Sequence, residues 1–294
     1  MAAGASKRVS AETNGSSRLP NAEALDHAVK VIYRVCCLAG AADLLDEIRA
    51  ELRAEGIPCA IQQHDVAPLF DWLAAALSYQ GISDRVAAEY MARHGRPRWH
   101  DIDAKVTANP SCPKLQSYWH FHDCRYDKIS RTCAEPDHID ACPLPTHDLR
   151  NGRLNQTAYS LYFFVRDIAA DHLVGWIDHQ LRSFDEPHDE DRPTRLRAAL
   201  IEPLRHVYGV SDKMLTMTLS CILLGAPRGY EAWHEVGASM IAIDTLVHNF
   251  LHRTGILRRF GADHPYGAAC YQPSRPLKKS ADWRHLCQRA QVAR

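Results

Sequence analysis

Helical spacing of apolar residues is the feature that most constrains the fold of this chain. In nearly every segment between residues 26 and 254, apolar side chains recur every three or four positions, the spacing that builds one apolar face on a helix. The first such segment, 26–56, breaks near Gly40 and therefore predicts two helices. No segment of useful length alternates apolar and polar residues as a half-buried strand does. The sequence predicts an all-α protein.

Capping and breaking residues place the other helices. Pro68 stands just inside the start of a third helix, and Ser83 and Asp84 can cap a fourth helix that Gly95 and Pro97 end. Further helices are predicted over 154–165, 172–183, 194–207, 212–224, 231–242 and 245–254.

Residues 100–152 differ from the rest, because Pro, His, Cys and charged residues dominate and no helical period holds. Four cysteines lie in this segment: Cys112, Cys124, Cys133 and Cys142. Since the chain begins without an export signal, we expect reduced thiols rather than disulfides. A segment that cannot order itself by burying apolar residues needs another organiser, and a metal bound by these cysteines would supply one.

Four thiolates suit either a tetrahedral zinc ion or a [4Fe–4S] cluster. The wide gaps of eleven, eight and eight residues and the Pro that follows Cys142 favour the cluster, with zinc as the alternative. In a zinc site a nearby histidine could replace one cysteine; the candidates are His120, His122, His138 and His147. Aromatic and basic side chains alternate in the same segment, and they could either stack on nucleic acid or pack around the metal.

Charge and the terminal segments suggest a location and a partner. Lys plus Arg and Asp plus Glu number 35 each, but residues 258–294 hold eight basic and two acidic residues, a net charge of +6. This basic tail is either an arm that contacts phosphates or a solvated tail. Residues 1–22 are small and polar and are expected to be disordered. Because no apolar run is long enough for a signal peptide or a membrane span, we predict a cytoplasmic protein with no membrane partner.

Three stretches occur in a recognisable order along the helical body. They are Leu-Ser-Tyr-Gln-Gly-Ile-Ser-Asp at 77–84, Val-Tyr-Gly-Val-Ser-Asp-Lys at 207–213, and Ile-Asp-Thr-Leu-Val-His-Asn-Phe-Leu-His-Arg-Thr-Gly at 243–255. Together they resemble the endonuclease III branch of the helix-hairpin-helix superfamily of base-excision DNA glycosylases. The resemblance implies a helix-hairpin-helix glycosylase-like helical fold with the four-cysteine segment as an irregular metal-binding insert.

The resemblance also implies roles for individual residues. Gln80 would enter the space left by a flipped-out base, and the hairpin at Gly209, Val210 and Ser211 would hold a DNA phosphate through backbone N–H groups. Lys213 would be the nucleophile of an AP lyase, and Asp244 the essential carboxylate. Many relatives hold a [4Fe–4S] cluster after that Asp, whereas the four cysteines here precede it.

The chain departs from the family pattern at three positions. Tyr208 replaces a Pro, Ser211 replaces the second Gly of the hairpin and could act as an N-cap instead, and Leu246 stands where many relatives have His. These departures leave three functions open. The leading one is a monomeric glycosylase, with or without lyase activity, that removes damaged or mismatched bases from duplex DNA. The alternatives are a non-catalytic DNA-binding or lesion-sensing protein on the same scaffold, and an iron–sulfur or zinc helical protein without a nucleic-acid role.

The domain organisation predicted on this basis has four parts. They are the N-terminal segment 1–22, a glycosylase-like body formed by 23–99 and 153–257, the Cys-rich insert 100–152, and the basic tail 258–294.

Overall fold

The computed structural model describes residues 22–39, 44–79, 82–108, 112–127, 129–130, 132–135, 137, 153–240, 242–267 and 270. Gln80, Cys142, most of the predicted N-terminal segment and most of the predicted tail therefore lie outside the described residues. The described chain is mostly helical, so the all-α prediction is confirmed. Its helices are α1 (Ala22–Ala39), α2 (Leu44–Ala54), α3 (Ile57–Gln63), α4 (Val66–Ser78), α5 (Asp84–His94), α6 (Trp99–Thr107), α7 (Tyr118–Phe121), α8 (Arg153–Phe163), α9 (Leu173–Ser183), α10 (Arg192–Leu204), α11 (Asp212–Gly225), α12 (Glu231–Ser239), α13 (Thr245–Arg253) and α14 (Ile256–Arg259).

The chain forms two compact units. The smaller comprises the described residues within Met1–Ala41 and Thr245–Tyr266, and thus α1, α13 and α14. In this unit His27 Nε2 lies 2.9 Å from the carbonyl oxygen of Thr254, and Gly255, at φ +72°, separates α13 from α14. Only a residue that tolerates the left-handed region fits that junction, which explains the glycine.

The larger unit comprises Ala42–Asp244 and Gly267–Arg294, and it holds the other helices. Its centre is the end of α8 and the single π-helical turn Phe164–Ile168 that follows. The four residues 162–165 are at most 1% exposed, and α8 packs against α4. At the other side of this core α11 contacts α2, α4 and α12. Leu223 and Ile222 of α11 and Trp233 of α12 are buried there.

The segment expected to be irregular is more ordered than predicted at its start. Residues 100–107 belong to α6, whose Trp99, Ile102 and Val106 are buried at spacings of three and four. Cys112, Leu115, Tyr118 and Phe121 are buried as well and belong to the core of the larger unit. Burial therefore orders residues 99–108 and 112–121, contrary to the expectation that this segment could not order itself in that way. The two aromatic residues at 118 and 121 pack in the core rather than presenting their faces to a ligand.

Asp167, in the π-helical turn that follows α8, holds the segment that contains α7 through hydrogen bonds. Its carboxylate accepts hydrogen bonds from the backbone N–H of Tyr118 at 2.6 Å and from the guanidinium of Arg166 at 2.6 and 3.0 Å. Arg166 in turn donates to the carbonyl oxygen of Gln116 at 2.9 Å. A short antiparallel hairpin follows, β1 (Tyr126–Asp127) and β2 (Thr132–Cys133). The sequence analysis did not anticipate this hairpin, because strands of two residues carry no periodic signal.

Candidate active site

The two predicted catalytic residues lie beside each other. Lys213 is in the first turn of α11, and Asp244 immediately precedes α13. Their Nζ and Oδ2 atoms are 3.9 Å apart, although 31 positions separate the residues in sequence. Both side chains are a little over one-third exposed, at 38% and 37%. At that distance they form an ion pair that solvent can still reach.

The turn between α10 and α11 presents Lys213. Arg205 donates to both carboxylate oxygens of Asp212, at 2.9 and 2.7 Å, and this bidentate pair closes the turn across its base. Gly209 adopts φ +73°, and a Cβ added there would lie an ordinary 3.5 Å from Thr157 Oγ1. The backbone conformation, and not lack of space, therefore requires the glycine. Ser211 is the N-cap of α11, because its hydroxyl accepts from the N–H of Met214 at 3.4 Å.

Tyr208 joins this turn to two other parts of the larger unit. Its N–H donates to Ser160 Oγ at 3.2 Å and its carbonyl oxygen accepts from Thr157 Oγ1 at 2.7 Å, so α8 holds its backbone. Its hydroxyl lies 2.5 Å from the His122 carbonyl oxygen and 2.9 Å from that of Cys124, and shares its hydrogen between them. Burial raises the pKa of this phenol, which keeps it protonated as a donor. The side chain of Tyr208 thus connects the turn between α10 and α11 to the cysteine-containing segment.

A cleft of about 530 Å³ opens beside the start of α11. One side is formed by α11 residues at helical spacing, beginning with Met214, the neighbour of Lys213. Tyr79 and Ile82, which flank the predicted intercalating position 80 in sequence, also line it. The ion pair between Arg96 and Glu55, at 3.1 Å, stands in its wall. The complete lining is Glu51, Glu55, Trp72, Ala75, Ala76, Tyr79, Ile82, Ala87, Met91, Arg96, Met214, Met217, Thr218 and Cys221.

This cleft is the part of the candidate site that sequence reasoning missed. Its walls come from α2, α4, α5 and α11; α2 contributes Glu51, and the other three helices contribute a few apolar side chains each that read in sequence as ordinary core positions. Burial raises the pKa of Tyr79, so its phenol stays neutral in the cleft wall at physiological pH. A mostly apolar cleft of this volume is in the size range of small-molecule sites.

Three of the four predicted metal ligands lie within the described residues. Cys112 is buried, Cys124 and Cys133 are partly exposed, and none of the three forms a disulfide with a described residue. The Cys133 sulfur accepts a hydrogen bond from the N–H of Glu135 at 3.4 Å. Cys133 pairs with Tyr126 across the hairpin, so Cys124, two residues before that partner, falls on the same side of the ladder.

The geometry of these thiols bears on which metal fits. Tetrahedral zinc with Zn–S bonds of about 2.3 Å holds its sulfurs about 3.8 Å apart. Within the described part of the chain, the three sulfurs do not all lie within 4.8 Å of one another. These three sulfurs are therefore not packed as closely as the sulfurs of a closed zinc site.

In comparisons with protein families, with curated proteins and with solved structures, no match to this chain was found. Within its described residues, no helix is both long and apolar enough to cross a membrane.

Proposed function

We propose that the protein is an N-glycosylase that removes damaged or mismatched bases from duplex DNA on a helix-hairpin-helix scaffold. The observation that carries the proposal is the pairing of Lys213 and Asp244 at 3.9 Å, at the helix start that follows the Gly209 turn. A carboxylate and an amine from distant parts of the sequence converge at an accessible point, and Met214, the residue after Lys213, lines an apolar cleft.

Each group has a defined part in the chemistry. As the bond between the sugar C1′ and the base nitrogen breaks, its electron pair leaves with the base, which takes up a proton. The Asp244 carboxylate stabilises the positive charge that develops on the sugar. In a monofunctional reaction a water oxygen then bonds to C1′ and gives up its proton. In a bifunctional reaction the Lys213 ammonium first gives up a proton, and its nitrogen then bonds to C1′ instead of water. A second nitrogen proton passes to the ring oxygen as the bond between that oxygen and C1′ breaks, which opens the sugar and leaves a Schiff base.

The surroundings of the pair support the same reaction. A base inside a duplex cannot reach such a pair without leaving the stack, and the neighbouring cleft offers about 530 Å³ for the extruded ring. The turn at Gly209 and the N-terminus of α11 favour a phosphate nearby, because backbone N–H groups and the helix dipole attract anions. Gln80, next to Tyr79 of the cleft wall, is the residue proposed to fill the vacated space in the duplex.

The metal has a structural part in this proposal. Cys112, Cys124 and Cys133, with Cys142, would hold a [4Fe–4S] cluster, or zinc as the alternative. When bound, it would link Cys112 at the start of the cysteine-containing segment to Cys142 at its end. Tyr208 connects this segment to the turn that precedes Lys213. The donor set and the hydrogen bond to the Cys133 sulfur are what support it.

Base release from a panel of lesion and mismatch duplexes tests the proposal, with strand cleavage measured before and after alkali treatment. We expect one or more lesions to be released by the unaltered chain and Asp244→Asn to lower single-turnover release by on the order of 100-fold or more. The matched control is Asp101→Asn, a change at an exposed carboxylate of α6 that should leave the rate unchanged. If no duplex in the panel loses a base, the enzymatic proposal fails.

The lyase reaction has its own test. Borohydride reduces a Schiff base to a stable covalent complex, so trapping should occur with unaltered protein and disappear with Lys213→Gln. Lys30→Gln, a change of an exposed lysine in α1, serves as the control. Base release that persists in Lys213→Gln without any trapping indicates a monofunctional glycosylase. Lesion binding without base release, unaffected by Asp244→Asn, supports the non-catalytic lesion sensor instead.

A further inference from the structure

A second cleft of about 450 Å³ lies at the opposite end of α11 from Lys213. Its lining contains three guanidinium groups and one imidazole: Arg49 and Arg53 from α2, Arg228 from the loop after α11, and His234 from α12. The other described residues that line it are Pro58, Gly225, Ala226 and Pro227, and none of them carries a carboxylate. The cleft is a concentration of positive charge in a concave surface.

Within the described residues, carboxylates neutralise little of the positive charge of these arginines. Among the described residues, Arg49 forms an ion pair only with Asp46, one turn away on the same helix, at 4.0 Å and with side chains that are 45% and 75% exposed. Arg53 and Arg228 form no ion pair with any described residue. Arg49 and Arg53 are also four positions apart on α2, where like charges destabilise a helix. An anion bound between Arg49 and Arg53 would reduce this repulsion and so stabilise α2.

The cleft is built by packed elements rather than by loose side chains. A Cβ added to Gly225 would lie 2.2 Å from Leu52 Cδ1, so the end of α11 sits directly against α2. His234 Nε2 lies 2.9 Å from the Ala226 carbonyl oxygen, and because a carbonyl only accepts, Nε2 carries the proton. This contact fixes the loop that carries Arg228 and leaves Nδ1 of the ring for other contacts.

From this arrangement we infer that the cleft binds a phosphate group. Arginine forks match the geometry of phosphate oxygens and bind them in pairs, and a tetrahedral dianion or a phosphodiester fits a concave site bounded by three guanidiniums. The 14 residues of α11 span roughly 20 Å, so this phosphate is distinct from one held at the Gly209 turn. The inference does not depend on the proposed function, since any phosphate-bearing ligand has the required chemistry.

The test compares the double variant Arg53→Gln, Arg228→Gln with unaltered protein and with the control Arg182→Gln, a change of an exposed arginine on α9. In the first arm, inorganic phosphate is titrated at constant ionic strength while the melting temperature is followed, because a ligand that binds only the folded state raises it. In the second arm, fluorescence anisotropy measures binding of a short lesion-free duplex across a salt series. Circular dichroism establishes that each variant is folded.

We expect phosphate to raise the melting temperature of the unaltered protein and of Arg182→Gln but not of the double variant. If the cleft takes a phosphate of the DNA backbone, the double variant should also bind the duplex several-fold more weakly, with a salt slope lower by about 1. A response in the first arm alone identifies a free phosphate-bearing ligand as the source. If the double variant matches the control in both arms, the inference is overturned. Base release is not a readout in either arm, so this outcome is separable from failure of the proposed glycosylase.

Discussion

Tyr208, which stands where the hairpin motif that this stretch resembles has a proline, holds the turn between α10 and α11 through its own contacts. A proline at this position would have no N–H to donate to Ser160 and no hydroxyl to reach the carbonyl oxygens of His122 and Cys124. The tyrosine also packs edge-on against Phe121, with ring centroids 5.8 Å apart. The loss of a proline that stiffens the turn is thus offset by contacts that fasten it to two neighbouring segments.

Replacing this tyrosine by phenylalanine isolates the hydroxyl. Tyr208→Phe keeps the ring and the backbone contacts but removes the hydroxyl's hydrogen bonds to two carbonyl oxygens, which Arg125 still reaches at 3.1 and 3.2 Å. We therefore expect a loss of about 1 kcal/mol in the free energy of unfolding. The measurement is denaturant unfolding followed by circular dichroism. Tyr33→Phe, at a tyrosine that is 69% exposed, is the control and should change stability by less than about 0.5 kcal/mol. Equal losses in the two variants would contradict the bridging role of Tyr208.

At the level of elements, the sequence predicts well where the apolar period is long and the ends are marked. The helices bounded by Ser83 and Gly95, and by Ser211 and Ala226, begin and end close to the predicted positions. It fails where the element is short or its apolar residues are few. Helix α3, with Pro58 in its first turn, has only seven residues, and α6 shows just three apolar anchors among polar neighbours. Tertiary packing against α4 and α8 decides the conformation of α6, and that packing is invisible in a local window.

The π-helical turn after α8 carries a contact that no local pattern indicates. The Asp167 carboxylate accepts from the Tyr118 backbone and from Arg166, and its side chain is only 18% exposed. We expect Asp167→Ala to cost about 2 kcal/mol in the free energy of unfolding, because the Tyr118 N–H loses this acceptor and the Arg166 guanidinium loses its carboxylate and retains its bond to the Gln116 carbonyl oxygen. Limited proteolysis should show faster cleavage between α6 and α7. Asp101→Ala is the matched control, and unchanged cleavage in Asp167→Ala would show that the segment is held by its apolar contacts alone.

The motifs singled out Lys213 and Asp244, and the structure places these two residues 3.9 Å apart, but the cleft that Met214 lines could not be predicted. Trp72 and the C-cap residue Tyr79 belong to one face of α4 and Met214 belongs to α11, and only the packing of α2, α4, α5 and α11 brings them to one opening. The basic cleft could not be predicted from the sequence either. Arg49 and Arg228 read as ordinary surface charges, and they come to one cleft only because the end of α11 packs against α2. Concave sites that several elements share are properties of the assembled molecule.

The cysteine segment is also part of the assembled molecule, and this determines what loss of a metal should do. Cys112, Leu115, Tyr118 and Phe121 are buried in the same core as α4 and α8. If the segment were a separate lobe, removing the metal would leave the helical unit intact. Since the core is shared, and since metal-binding free energy contributes to folding, we expect metal loss to destabilise the larger unit as a whole.

Cys133→Ser tests this expectation, with Cys59→Ser as the control at an exposed cysteine of α3. Proteins purified without oxygen are assayed for iron and zinc per chain and then melted. The unaltered protein and Cys59→Ser should hold about four irons, or about one zinc, per chain. Cys133→Ser should lose the metal and melt in one transition at a temperature lower by several degrees, because losing even 1 kcal/mol lowers the melting temperature by about 2 to 4 °C in a unit of this size.

Full metal content in Cys133→Ser would show that Cys133 is not a metal ligand. An unchanged melting temperature after metal loss shows instead that the buried aromatic contacts order the segment without it.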